Sequence, residues 1–314
     1  MATNQYLVDN LLPTLRLLPL MPSVQALFNN DDLLTIMNFE MNSKIMPLMD
    51  NQAEEYGVYI DDLPYSTSKT VYTLPSRALA GKLRSVSFLD AVGNEVRIPR
   101  LRVEDIMSNV NATGLAINPA LWGFYLQNNK IVTYLGSVNG GSSSFPFMRV
   151  RYVRQPNTLV LSTACGQVTN ISGDVVTVAN FPATFTTSAT YDLISNSPQM
   201  FDSLLDDATV TAVDSMTKTL TFTSGTVPAT LQIGDWVCLA GQSPLPQIPA
   251  VPGIDLLLQL SAAKCLEVHG DVQGFNVAMS QASDMKNYFI SVLTPRVDAN
   301  QVKLTTPGSL YGWD

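Results

Sequence analysis

The chain has 314 residues, enough for two or three domains, with 46% apolar and 14% charged residues. That composition excludes a disordered chain, and a formal charge of −8 with a pI near 4.6 excludes a whole-chain nucleic-acid binder that works by counterion release. The scarcity of charge has two readings: a large core, or an exterior covered by copies of the chain or by partners.

Residues 1 to 30 are apolar and broken by Pro13, Pro19 and Pro22, so an extended arm is expected rather than a long helix. The stretch Leu11 to Leu20 contains Pro13, Arg16 and Pro19 and follows no basic region, which does not match a secretory signal. No apolar run is long enough for a transmembrane helix, so a cytosolic product without a membrane partner is expected. Asn30 or Asp31 then caps a helical run to Tyr56, with Leu34, Met37, Met41, Ile45 and Leu48 near one face. Pro47 lacks a backbone donor and predicts a kink or break.

From Lys69 the pattern changes to short strands: 70–74, 85–90, 95–101, 122–127, 130–135 and 147–154, separated by turns such as Gly93-Asn94 and Asn128-Asn129. Eleven of the eighteen Lys and Arg residues lie between Lys69 and Arg154. Arg149, Arg151 and Arg154 form a basic strand. It reads either as a solvated face pairing with acidic neighbours or as a contact for an acidic partner or phosphate backbone. After Pro156 come six more strands: 166–171, 175–179, 190–194, 208–213, 218–223 and 236–240, which predict a small barrel or sandwich. That block has seven Asp and one Lys.

Pro244, Pro246, Pro249 and Pro252 read as a stiff linker into a helix pair. The first helix, from Ile254, is apolar around most of its circumference, with Leu257 and Leu258 in its stripe. The second carries Phe275, Ala278, Ala282, Met285 and Phe289 on a narrow seam. Gly270 ends the first helix and Asp271 caps the second. The resulting expectation is an α+β fold, in which N- and C-terminal helices form one bundle carrying a large all-β insertion of two small antiparallel units. Its parts are an arm and helix (1–68), a basic β unit (69–156), an acidic barrel or sandwich (157–243), a linker and helix pair (244–295) and a tail (296–314).

The search for chemistry finds little. His269 sits at a predicted helix end and reads as a capping residue. No nucleophile elbow, phosphate-cradling glycine loop or dinucleotide fingerprint occurs. Cys165, Cys238 and Cys265 are odd in number and far apart, which argues for buried small hydrophobes over a disulfide framework or zinc site. Adjacent acidic pairs such as Asp61-Asp62 and Asp206-Asp207 do not face one another on a helix or strand. No enzyme, cofactor or metal is expected.

The order of parts resembles a tailed-bacteriophage head–tail connector, the adaptor or neck protein that forms a ring beneath the portal. The cues are the helix from Asp31, the segment Val71-Tyr72-Thr73-Leu74-Pro75-Ser76-Arg77-Ala78, the run Arg149 to Pro156, and Ile233-Gly234-Asp235-Trp236-Val237. Further cues are Pro244 to Pro249, the helix pair and Thr294-Pro295-Arg296-Val297-Asp298. The resemblance implies a virion protein made in the host cytoplasm, in a ring of about twelve copies whose apolar helices have lateral neighbours. Portal protein would lie above it, and a tail tube, nozzle or tail-terminator protein below. Double-stranded DNA would pass a repelling negative lumen. Leu257, Leu258, Phe275, Ala282, Met285 and Phe289 are the packing residues this implies. Arg296, Tyr311 and Trp313 are the portal-docking residues of the tail.

Two other classes remain. A carbohydrate- or receptor-binding β protein of a tail or surface structure would expose an aromatic platform around Trp122, Phe124 and Tyr125. A hydrolase would bring two distant carboxylates together in a cleft.

Overall fold

The computed structural model describes residues 4–18, 27–52, 54–66, 68–108, 122–135, 145–197 and 201–293. The N-terminal segment is helical where an arm is expected. Helix α1 (Val8–Arg16) contains Pro13, yet Val8, Leu11, Leu12 and Leu15 are buried, and this burial overrides the local cost of the proline. Helix α2 (Asn30–Glu40) starts one residue earlier than expected, at a capping box: Asn29 accepts from the Asp32 amide, and Asp32 accepts in return from the Asn29 amide. The break predicted by Pro47 is a π-helical turn, Met41–Ile45, leading into α3 (Met46–Gln52). The wider turn lets the helix continue past a residue with no amide to donate.

The first β region contains β1 (Val58–Pro64), β2 (Val71–Thr73), β3 (Ala78–Leu89), β4 (Glu95–Ile98), α4 (Val103–Ser108), β5 (Trp122–Gln127), β6 (Lys130–Leu135) and β7 (Phe147–Arg154). It forms two antiparallel sheets, ordered β1-β7-β3-β4 and β2-β6-β5. Alternation along β7 points Met148, Val150 and Tyr152 into a core with Tyr72, Val86 and Phe88. Strand β1 belongs to this sheet, where the sequence reading has no strand. A bulge at Ala80 and Gly81, both at positive φ, shifts the β3 register against β7.

The second region opens with β8 (Thr158–Leu159). It continues with β9 (Gly166–Ser172), β10 (Val175–Val178), β11 (Thr190–Ile194), β12 (Ser203–Asp214), β13 (Thr219–Phe222) and β14 (Trp236–Leu239), and ends on β15 (Gln242–Ser243). Six of these close a barrel in the order β10-β13-β12-β11-β14-β9. Gly166 permits the closure: a Cβ there would stand 2.9 Å from Val178. Tyr191, Leu193, Leu220, Phe222 and Val237 fill the interior. Strands β8 and β15 pair in parallel as a separate two-stranded sheet.

The chain ends its described part with α5 (Ala250–His269) and α6 (Val272–Leu293). Gly270 takes the left-handed conformation at φ 85°, and Asp271 Oδ1 accepts from the Gly274 amide at 2.8 Å. The proline-rich segment before α5 is buried from Pro244 to Ile248, not an exposed linker.

The expectation of one N- and C-terminal helical bundle with an all-β insertion is overturned. The described residues hold fifteen strands against six α-helices, so the molecule is mostly β, with one barrel and separate sheets. Nor do the helices close a core of their own. Leu159 and Ile248 enter it from the β region, Asn38 bonds both backbone groups of Leu159, and the Val8 amide donates to the Pro244 carbonyl at 2.9 Å. Amphipathic stripes show which face of a helix is buried but not what covers it.

Candidate functional site

Two places concentrate the chain's polar chemistry and its open apolar surface. The first is the seam between the β1-β7-β3-β4 sheet and the barrel. Arg154, at the end of β7, is 0% exposed; its guanidinium contacts Asp206 at 2.7 and 2.8 Å and lies over the Tyr59 ring at 4.6 Å. Arg77 reaches the same place from the segment before β3 and bonds both oxygens of Asp192 at 2.8 Å. Asp192 is buried and accepts from the amides of Asp207 and Gly241 at 3.0 Å. Asn157 bonds both arginines. Burial pushes the Asp206 carboxyl above the ordinary carboxylate range, against the pull of Arg154. The acids here are engaged by guanidinium groups and amides, an arrangement that fixes two β regions in one orientation.

The other two residues of the basic strand are also met from within. Arg149 forms a two-point pair with Asp62 at 2.8 Å, and Arg151 bonds Glu95, including one contact at 2.7 Å. The structure therefore joins Arg149, Arg151 and Arg154 to carboxylates of the same chain, the solvated-face reading for the first two and an internal bond for the third. Strand alternation is visible in the sequence; partners many positions away are not.

The second place is the outer side of the helical layer. A groove of about 430 Å³ runs between the π-turn with α3 and the α5–α6 pair, with Ile45, Leu48, Leu256, Leu260 and Met279 along it and Lys44 and Lys286 at its sides. Of the predicted packing residues, Leu257, Leu258, Ala282 and Phe289 are buried in the helical core, and Phe275 and Met285 pack against it half-buried. Only Ala282 among them lines the groove. Behind the groove lies a feature sequence reasoning missed. Glu40, wholly buried, ends α2 just before the π-turn, with Lys44 Nζ 2.6 Å from Oε2, outside hydrogen-bonding geometry. The i to i+4 spacing of Glu40 and Lys44 is the one signal that could have found the pair.

His269 is exposed at the C-terminus of α5. All three cysteines are buried and free. Phe124 is 5% exposed and belongs to the sheet core, Tyr125 is half-buried, and the Trp122 side chain lies outside the described residues. The tail residues Arg296, Tyr311 and Trp313 also lie outside them. Among the described residues no group of three or more His, Cys, Asp or Glu is placed to hold a metal, and no helix is long and apolar enough to cross a membrane. Comparison with known proteins finds no matching family model and no matching curated protein.

Proposed function

We propose that this chain is a structural subunit of a tailed-phage neck, assembling into a ring that joins the portal to the tail and surrounds the passing DNA. The observation that carries this reading is the helical groove: among the described residues it stays open, on a layer whose central helix, α5, is buried from Leu256 to Ala263. Such a surface suits lateral packing between copies. The Arg77–Asp192 seam supports the same reading, because a ring transmits force only if its β regions do not swivel. The net charge of −8 suits a lumen from which DNA slides freely. By the same reading the tail from Arg296 to Asp314 docks on the portal, with Tyr311 and Trp313 as anchors. Against the receptor-binding reading stands Phe124, which belongs to the sheet core.

Native mass and negative-stain imaging of the protein, alone and mixed with portal, test the proposal. A ring of about a dozen copies, formed alone or on the portal, is expected. A trimer, or a monomer indifferent to portal, overturns it.

A further inference from the structure

The barrel closes between its first and last strands, β9 and β14. Among the described residues this is the shortest junction of the barrel: Trp236 stands opposite Gln167 and Val237 opposite Gly166, and every other ladder is longer. One step further along the same register, Cys165 stands opposite Cys238. Cys165 precedes β9 with extended backbone, φ −119° and ψ 162°, so it prolongs the strand.

Alternation along the two strands sends Val168 and Val237 into the barrel. It turns Cys165, Trp236 and Cys238 the other way, into a cluster with Leu7, Ile194 and Leu245. Both thiols are wholly buried and free. Burial first, and then the Cys165 thiol beside it, raise that of Cys238 well above its ordinary value. Residues directly opposite on antiparallel strands have Cα atoms about 4.5 to 5.5 Å apart, within the span of a disulfide. Apolar residues of the same size would fill this cluster as well as thiols do. What two thiols add is the capacity for a bond, at the junction where the barrel has the fewest hydrogen bonds to hold it.

We infer that Cys165 and Cys238 form a reversible redox site, whose disulfide closes the barrel covalently in oxidising surroundings and is absent in reducing ones. The oxidant is a small disulfide such as oxidised glutathione. One protein thiol loses its proton, attacks a sulfur of the small disulfide and releases one small thiolate. The second loses its proton, attacks the protein sulfur of the mixed disulfide and releases the other. Two protein sulfurs are thereby oxidised to one S–S bond, and the small disulfide is reduced to two thiols that take up the two protons. Neither sulfur can be reached while the seam is closed, so the exchange belongs to folding or to local opening of β9 from β14. A chain that folds among reducing thiols stays unlinked, and one that folds or reopens in an oxidising compartment is linked. The inference does not depend on ring formation, because a monomer carries both thiols.

The test refolds the full chain from urea in glutathione buffer, once oxidised and once reduced, then blocks free thiols and maps linked peptides in an unreduced digest. Oxidative refolding is expected to link Cys165 to Cys238 and to leave Cys265, in the helical core, free for blocking. The linked form should melt about 5 °C above the reduced form, since the bond ties the two ends of the barrel segment together. Dithiothreitol present during refolding should remove the difference. Cys165→Ala and Cys238→Ala each leave a small cavity, so the readout for each variant is the difference between its own oxidised and reduced samples. That difference should vanish in both and persist in Cys265→Ala. No Cys165–Cys238 link after oxidative refolding, a link to Cys265 in its place, or a linked form that melts no higher than the reduced one overturns the inference.

Discussion

Arg154 and Asp192 face each other at 3.5 Å with both side chains wholly buried, one from the end of β7 and the other from barrel strand β11. Taking two such charges out of water costs several kcal/mol each, and their attraction offsets this only while every partner stays in place. The seam is therefore better understood as a device for orientation than as a source of stability.

Removing its central acid should be severe. Asp192→Asn leaves Arg77 and Arg154 without their shared charge and should destabilise the protein by about 3 kcal/mol. Asp207 is 39% exposed, so Asp207→Asn should cost under about 1 kcal/mol. Urea unfolding of both variants checks this, and equal losses would show that the seam does not depend on Asp192.

The Glu40–Lys44 pair should show strong non-additivity. Lys44→Ala leaves a buried carboxylate with no counter-charge at 2.6 Å. With Lys44 42% exposed, the loss should be about 2 kcal/mol, below the range for fully buried pairs. Adding Glu40→Met should restore most of it. A double variant as unstable as the sum of its parts would refute the pairing.

Acid sensitivity should trace to Glu95. Its bonds to Arg151 and Ser87 lower its carboxyl from 4.5 to about 2. The folded value is depressed, so the stabilisation is present above about 4.5 and lost as pH falls towards about 2. Asp61 runs the other way: burial, with Asp62 and Asp207 nearby, raises its carboxyl, so its ionisation opposes folding as pH rises towards neutrality. Glu95→Gln should flatten the acid limb of stability against pH, whereas Asp61→Asn should stabilise the protein near neutral pH. Melting temperatures across pH 2 to 8 separate the two effects.

The thiols should be inert until the protein unfolds. Burial pushes Cys265 up to about 11 and raises Cys238 well above its ordinary value, with Cys165 beside it. Thiolate, the reactive form, is then scarce, and access is closed. A thiol reagent should label none of the three in native protein and all three in denaturant; fast native labelling would contradict the buried placement.

The helical groove offers a variant aimed at assembly alone. Ser283 is exposed on its side, so Ser283→Arg should leave the protomer's melting temperature within about 2 °C. If the proposed ring packs through this groove, the variant should stay a monomer in native mass measurements. Rings of unchanged size would move the contact elsewhere.

Local grammar was readable in the sequence and partnership was not. The alternation of Met148, Val150 and Tyr152 marks β7, and Gly270 with Asp271 marks the α5–α6 junction, because each depends on neighbours in the chain. Pro13 hid α1, whose stability comes from Leu11, Leu12 and Leu15 against other helices. Strand β1 was missed because its burial alternates only weakly and it directly follows a helical run. The fold class failed for the same reason: stripes on α2, α5 and α6 promised a bundle, but Leu159 and Ile248 cover part of the surface that the reading gave to helices. For the candidate sites, the basic strand was visible, but its acids stand as far as 87 positions away, so its role as an internal bond was not.

The parallel pair β8–β15 has a consequence for how this molecule can change over time. The chain departs for the barrel along Thr158–Leu159 and returns along Gln242–Ser243, with Thr158 opposite Gln242. The two ends of the module are neighbours a single strand spacing apart, about 4.8 Å. Closing a longer or shorter excursion between fixed ends alters folding entropy only logarithmically. The barrel's turns can therefore lengthen or shorten while the strands that carry Asp192 and Asp206 keep their hold on Arg77 and Arg154, so lineages can vary the turns independently of the seam.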